Sequence, residues 1–531
     1  MDKEKLKRYL RLLPTVLVLI LCIMVFARIL APKQSTLKIT EAKWSKLLLV
    51  LDQIDRNYVD TVNTSDLIEK LLPSLMEGLD PHSLYLPPVE LEEANESLEG
   101  NFSGIGVQFN VPSDTAVIIG VIKGGPSEKA GILTGDRIIT IEGDTIAGVN
   151  FPQDSIVRRL KGPRGTSVKI QVKRSEEPKL LDFTIVRDII PVNSVDVAYM
   201  IGESTGYIKV EKFTKTTYLE FMKATVQLKS RGMKSLVIDL RENAGGYFDQ
   251  ALLMANEFLG NGKLIVYLEG AHRKRQDFFA DGSGTMLEIP LTVLINENSA
   301  SSSEIFAGAI QDNDRGLIVG RRSYGKGLVQ EPLFFSDNSG IRLTVARYFT
   351  PTGRSIQKPY SEDYRYDIYK RYQSGEMMDA DSIKVNDSLK FVTPGGKIVY
   401  GGGGIIPDKF VPVDTTGVTD FLIKVNRKSL VVKCSSYISD KYRKQLAAID
   451  TLPELDRLFK TIDFKQEFLD YSGSNGVNPR AGEWNVSGQI IEEQLKGLVG
   501  RYTRLGDDAF YPYILTLDNT IDTLKARKII K

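Results

Sequence analysis

The sequence predicts an α/β core with a small β-rich module inserted ahead of it and helical segments at either end. Three observations carry the prediction. From about residue 195 to 351, apolar runs of strand length alternate with helical stripes, the pattern of a substantial buried sheet with helices against it. From about 100 to 188 the pattern changes to short β-runs punctuated by glycine. Before and after these stretches, apolar residues recur at helical spacing.

Composition bounds the function. The chain of 531 residues suffices for about three or four domains, and 42% hydrophobic with 26% charged residues is ordinary for a globular protein. A formal net charge of +2 provides no global field for a nucleic-acid partner. There are two cysteines, Cys22 and Cys434, and two histidines, His82 and His272. That scarcity removes most metal sites and most Ser-His or Cys-His mechanisms. No metal and no cofactor is expected.

The N-terminus reads as a membrane segment. Lys3, Lys5, Lys7, Arg8 and Arg11 precede an apolar run from Leu12 to about Leu30, broken late by Arg28. As a helix, roughly 19 residues span about 28 Å, close to a bilayer core. The basic flank, 1–11, predicts a cytoplasmic N-terminus, an anchor over 12–30 and the rest outside. A cleaved signal peptide is the competing reading. No small-x-small site follows the run, and Cys22 lacks the small residues that precede a lipoprotein cysteine, so an uncleaved anchor is favoured.

The elements follow in order. Residues 40–99 are expected to be helical, with stripes at Leu47, Leu48, Leu49, Leu51 and Ile54 and at Leu67, Ile68, Leu71, Leu72 and Leu75. The stretch Asp80-Pro81-His82-Ser83 breaks the pattern as a turn. The β-rich module, 100–190, has strands near 107–109, 116–122, 137–141, 167–172 and 182–186 and a short helix near 127–130. The core, 195–412, places strands at 237–240, 291–295, 317–320, 328–335 and 341–349, with helices at 248–259 and 302–311. Within it, 352–395 is a Tyr-, Asp- and Lys-rich excursion, and 401–404 a four-glycine loop. Residues 415–531 read as amphipathic helix with no chemistry of their own; Tyr502, Phe510, Tyr511 and Tyr513 are expected in its core.

Three pieces of the core carry chemistry. After the strand at 291–295, Asn296-Glu-Asn-Ser-Ala-Ser301-Ser302-Ser303-Glu304 opens a helix. Ser301 and Glu304 have capping-box spacing, so a structural cap competes with a nucleophile placed where helix N–H groups favour a developing oxyanion. Gly320 to Gly327, with Gly325-Lys326-Gly327 at its end, nearly matches a phosphate-cradling loop, but Gly327 stands where a Mg²⁺-binding hydroxyl is needed and a strand follows. Asp239-Leu-Arg-Glu-Asn243-Ala-Gly245-Gly246 joins a strand to a helix, and its glycines permit close backbone approach or a plain turn.

Together these motifs resemble the C-terminal processing peptidases, also called tail-specific proteases. The 25-residue step from Ser301 to Lys326 and the four-residue step to Gln330 match that family. Leu79-Asp80-Pro81-His82-Ser83 resembles a motif ahead of the family's inserted PDZ domain. Gly100-x-Phe-x-Gly104-Ile105-Gly106 resembles the start of that domain, and Pro126-x-x-x-Ala130-Gly131 through Gly135-Asp136-Arg137-Ile138 and Gly162-x-x-Gly165-Thr166 its middle. The resemblance spans about 45–412. Ser302 departs from the family's usual alanine and Ala244 from a common proline; neither change removes a backbone donor.

The resemblance implies an α/β (α+β) peptidase core like the family's crotonase-like β-spiral. It implies a Ser/Lys dyad with Ser301 as nucleophile, Lys326 as general base and Gln330 orienting the lysine. The backbone N–H of Ser302, with one from Gly245 or Gly246, would form the oxyanion hole. Apolar neighbours Ile305, Phe306, Leu328 and Val329 could lower the Lys326 pKa by burial. Gly104, Ile105, Gly106 and Val107 would be the PDZ loop that binds a C-terminal carboxylate while the peptide adds as a strand. The implied protein is a single-pass endopeptidase of a bacterial inner membrane with a periplasmic catalytic part. It would cleave proteins near unstructured C-terminal tails; a homo-oligomer or an adaptor protein stays open. Two other classes compete: a catalytically silent PDZ scaffold that only binds tails, and a nucleotide-dependent enzyme using the 320–327 loop. His82 and His272 are expected to be structural or exposed.

Overall fold

The computed structural model describes residues 41–530 apart from 176 and 362. The anchor expected over 12–30, its basic flank and Cys22 lie outside these. Among the described residues no helix is long and apolar enough to cross a membrane. Cys434 is a buried free thiol.

The chain divides into two compact units. The first runs to Ser74 and holds the helix Glu41–Asn57 and most of Thr64–Glu77, where the two leucine-rich stripes lie. The second, from Leu75 onward, contains everything else.

Its centre is a six-stranded sheet ordered Val195–Met200, Thr205–Val210, Ser235–Asp239, Leu291–Ile295, Leu317–Gly320 and Lys409–Phe410. The first pair is antiparallel and the rest parallel. A parallel sheet needs both faces covered. Ile208, Ile238, Val293 and Ile318 pack with Phe221, Phe306 and Ile310 from helices on one face. Tyr207, Val237, Leu294 and Val319 pack with Tyr511, Leu515, Ile521 and Leu524 from the C-terminal segment on the other. Alternate residues of each strand thus serve opposite faces. The C-terminal region also has its own core, which includes Phe421, Cys434, Phe468, Ile491 and Val499, so its aromatics pack inward as the periodicity predicts.

A five-stranded antiparallel sheet, formed by Leu84–Leu86, Gly340–Phe349, Leu264–Gly270, Arg273–Phe279 and Leu328–Phe334, sends Ile265, Val266 and Tyr348 into the same core as the helices. Three of its strands, Leu84–Leu86, Leu264–Gly270 and Arg273–Phe279, are not among those read from the sequence. Leu84–Leu86 is too short to show a period. Arg273–Phe279 is an exposed edge strand whose charges blunt an open edge.

The β-rich module has its own core around Ile118, Ile138, Ile141, Val168 and Ile170. Its sheet runs Val107–Asn110, Ala116–Val121, Arg137–Ile141, Ser167–Lys173 and Leu181–Val186, with Asp144–Thr145 paired to Arg137–Ile141. The helix Gln153–Leu160, missed in the sequence, contributes Ile156 and Leu160 to the same core as Ile105. The chain enters the module through Asn101–Gly104 and leaves through Asp188–Pro191, and these strands pair with each other.

Candidate active site

Ser301 stands between the strand Leu291–Ile295 and the helix Ser302–Asp312, with φ 54° and ψ −114°. A non-glycine residue in this region costs on the order of 1–3 kcal/mol and is held only by strong local constraints. Here the Ser301 N–H donates to Glu304 Oε2 at 2.9 Å, and the Ser301 carbonyl accepts from the Ile305 N–H at 2.9 Å. A strained strand-to-helix turn projects a nucleophile away from the sheet.

The neighbouring serines are spoken for. Ser299 Oγ donates to the Leu240 carbonyl (2.8 Å), Ser302 Oγ to that of Gly246 (2.8 Å) and Ser303 Oγ to that of Asn243 (2.9 Å). All three are buried, whereas Ser301 is half-buried and lines a cavity of about 630 Å³. The same cavity is lined by Gly245, Gly246, Ser302, Lys326 and Gln330, so six residues spread over 86 positions meet at one place.

The glycine turn fits only as glycine. A Cβ on Gly245 (φ 97°) would fall 2.8 Å from Ser301 Cβ, and one on Gly246 (φ 148°) 2.0 Å from the Phe213 carbonyl oxygen. The two amides differ. The Gly245 N–H donates to Asn243 Oδ1 at 2.8 Å, whereas those of Gly246 and Ser302 donate no hydrogen bond among the described residues. Of the two glycines offered by the sequence, Gly246 therefore has the amide left for a ligand. The Ser302 hydroxyl, where alanine is usual, tethers this turn to the helix.

Lys326 sits on the loop before the strand Leu328–Phe334. Its Nζ donates to Gln330 Oε1 at 2.9 Å, and no hydrogen bond joins it to the Ser301 hydroxyl among the described residues. The Gln330 amide nitrogen donates to the His82 carbonyl, which turns its oxygen toward the lysine. Burial, reinforced by the Arg342 charge, pulls the Lys326 pKa below its ordinary value. Of the apolar neighbours anticipated, Ile305, Leu328 and Val329 line the cavity, while Phe306 lies in the core behind it.

Two contributors were not legible as site residues. Glu304 is more than a helix cap. Its buried carboxylate accepts from the N–H groups of Ser301 (2.9 Å), Gly325 (2.7 Å) and Lys326 (2.9 Å), tying the serine loop to the lysine loop. Burial pushes its pKa up against these donors. His82, expected to be structural or exposed, is structural: its ring nitrogen lies 2.6 Å from the Tyr364 hydroxyl, and burial with the nearby Lys326 charge lowers its pKa to about 4. The turn that carries it is fixed by Asp80, which accepts from the His82 (2.7 Å) and Ser83 (2.8 Å) N–H groups. His272 is exposed, as expected.

The Asp239 loop is braced from far away. Arg241 pairs with Asp239 (2.6 Å) and with Asp518 (2.5 Å), the cap of the C-terminal helix Asn519–Ala526. No local pattern links positions 277 residues apart.

Residues 204–366 match the family model described as peptidase family S41, residues 103–185 that of the PDZ domain, and residues 421–503 a family of unknown function, DUF8443. A carboxy-terminal-processing protease of Bartonella bacilliformis is 35% identical over 338 residues, 60% of this chain and 76% of that protein. The chain belongs to peptidase family S41. This S41 peptidase is a serine protease of the carboxy-terminal-processing group. The carboxy-terminal processing protease CtpA of Bacillus subtilis is 31% identical over 349 residues, 63% of this chain and 74% of that protein. Among solved structures, the photosystem II D1 C-terminal processing protease is 29% identical, covers 58% of this chain and 89% of its own, and superposes with a TM-score of 0.33. The PDZ domain of a carboxy-terminal protease from Vibrio cholerae, solved with a peptide, is 34% identical, covers 17% of this chain and 99% of its own, at a TM-score of 0.16.

In the PDZ domain of this S41 peptidase, Gly106 (φ 76°) turns the loop, and the N–H groups of Ile105 and Gly106 donate no hydrogen bond among the described residues. The following strand, Val107–Asn110, is an edge strand paired on one side only.

The Glu304 geometry gives a prediction. In Glu304→Gln the new NH₂ faces backbone donors, and each donor left unmatched costs about 1–3 kcal/mol. The variant is expected to melt at lower temperature and to lose at least about tenfold in kcat, measured by thermal denaturation and peptide hydrolysis.

Proposed function

We propose that this S41 peptidase is a membrane-anchored endopeptidase that binds unstructured C-terminal tails through its PDZ domain and cleaves near them with a Ser301/Lys326 dyad. The single observation that carries this is the Ser301 hydroxyl. Alone among the serines of its turn it is not tied to a carbonyl of the glycine turn or the sheet, and it shares a cavity with a desolvated lysine.

The reaction follows from these atoms. Neutral Lys326 takes the proton from Ser301 Oγ as that oxygen attacks the peptide carbonyl carbon. The N–H groups of Ser302 and Gly246 receive the oxyanion. When the C–N bond breaks, Lys326 returns its proton to the departing amine. Water, deprotonated by Lys326, then attacks the acyl ester; as the ester C–O bond breaks, the lysine returns that proton to Ser301 Oγ and the acid product leaves. Gln330 holds the lysine between these steps. Lys326 Nζ sits on a flexible four-carbon stem, and catalytic hydrogen bonds often tighten only with substrate in place.

The open edge of Val107–Asn110 and the amides at Ile105 and Gly106 suit a peptide that adds as a strand with its carboxylate in the loop, with Gly104 and Val107 flanking them. The basic flank and apolar run support an anchor over 12–30 with the remainder in a periplasm. We retain the division into 40–99, 100–190, 195–412 and 415–531; the paired strands at the entry and exit of the PDZ domain support its limits.

Comparison of protein termini in cells with the wild type and with Ser301→Ala tests the function. New termini that cluster near the C-terminal ends of extracytoplasmic proteins, and that require Ser301, are expected. Tail binding with no Ser301-dependent termini would instead make the protein a silent scaffold.

A further inference from the structure

Among the described residues, the Arg342 guanidinium in the catalytic cavity pairs with no carboxylate. Arg342 lies on the strand Gly340–Phe349, opposite Pro332 on one side and Leu84 on the other. Alternation puts it on the same face as Thr344, and a β-bulge between Thr344 and Ala346 then shifts the alternation. Further along the strand, the Tyr348 hydroxyl donates to the Lys326 carbonyl at 2.6 Å and to that of Ser301 at 3.1 Å. Arg342 itself lines the cavity with both residues.

Its surroundings are those of an unfilled site. One guanidinium nitrogen, Nη2, is sealed from solvent with no hydrogen-bond partner among the described residues. Elsewhere in the core, Arg241, Arg321, Arg322, Arg354 and Arg371 each pair with a carboxylate at 2.8 Å or less. The one acid lining the cavity is Glu99, and it is taken by Lys215 (2.9 Å) and the Tyr247 hydroxyl (3.1 Å). Nearby walls are apolar: Ala94, Leu98, Pro332 and Phe334. Removing a guanidinium from water without a partner is costly, whereas a carboxylate can match its planar fork with two hydrogen bonds.

We propose that Arg342 anchors a carboxylate subsite of the cleavage cavity, binding either the terminal carboxylate of the peptide or the side chain of an aspartate or glutamate in it. The proposal rests on the reading that peptides are cleaved at Ser301. It makes Arg342 a specificity determinant separate from the PDZ loop, selecting the peptide while it is in the cavity.

A double-mutant cycle tests it. Wild type and Arg342→Met, which keeps an apolar stem, are compared on three fluorogenic peptides. One is apolar with a free C-terminal carboxylate, one is its amide, and one is the amide carrying a glutamate beyond the cleaved bond. The carboxylate form is expected to exceed the amide by about tenfold or more in kcat/KM in the wild type, and Arg342→Met is expected to shrink that ratio by about tenfold, leaving only what the PDZ loop contributes. The cycle cancels any change in Lys326 basicity or in PDZ binding, because only the Arg342-dependent part of the ratio counts. Coupling to the free terminus identifies the tail as the source, and coupling to the glutamate identifies an acidic side chain. Coupling to neither overturns the proposal. The same ratios read as affinities in a Ser301→Ala background separate the outcomes: turnover by Ser301→Ala would defeat the dyad reading, and an unchanged binding ratio would defeat the Arg342 reading.

Discussion

Ser301→Ala is expected to lower peptide hydrolysis by about 10⁴-fold or more while leaving the fold intact. The size follows from the role: without Oγ no acyl-enzyme forms, and only the slow attack of water held in the cavity remains. The specificity of the effect follows from the geometry. Ser299, Ser302 and Ser303 already donate to carbonyls, so their hydroxyls serve the loop and not the cavity. Ser303→Ala should therefore cost stability and leave much of the activity. Steady-state kinetics on one peptide, with melting curves for both variants, checks this. Comparable activity loss in Ser303→Ala without destabilisation would remove Ser301 from its place.

Lys326→Met should cost about as much, because it keeps the apolar stem and removes the one base in reach. The pH dependence carries more information. Lys326 must be neutral to act, so kcat/KM rises as pH rises through its pKa, which burial and Arg342 hold below the ordinary lysine value. Removing the Arg342 charge takes away a repulsion that favours the neutral amine. The Lys326 pKa then rises, and the ascending limb moves to higher pH in Arg342→Met. A limb that stays in place, or moves to lower pH, contradicts the assignment of Lys326 as the titrating base.

Much of this architecture was legible in the sequence because its signals are local. The strands at 291–295 and 317–320 and the helix after Ser301 declare themselves by period and by cap. Scarce histidine and the serine, lysine and glutamine spacing led to the same cavity that the fold assembles. What escaped reading depends on tertiary contact. The capping-box spacing marked Glu304, but its bonds to the amides of Gly325 and Lys326 exist only once two loops meet. His82 carried no triad logic, and its contribution to the site is a backbone carbonyl, which no side-chain pattern reports. Of the glycine pair, only the folded turn shows that Asn243 occupies the Gly245 amide. Asp518 reaches Arg241 from the far end of the chain, so a region without chemistry of its own still braces the catalytic loops.

The most direct test of the central claim is mass spectrometry of the enzyme quenched during turnover of a slowly deacylating peptide ester. An adduct with the mass of the acyl portion, located on the peptide that contains Ser301 and absent from Ser301→Ala and Lys326→Met, is the expected result. An adduct on Ser299, Ser302 or Ser303, or steady turnover by Ser301→Ala, would contradict it.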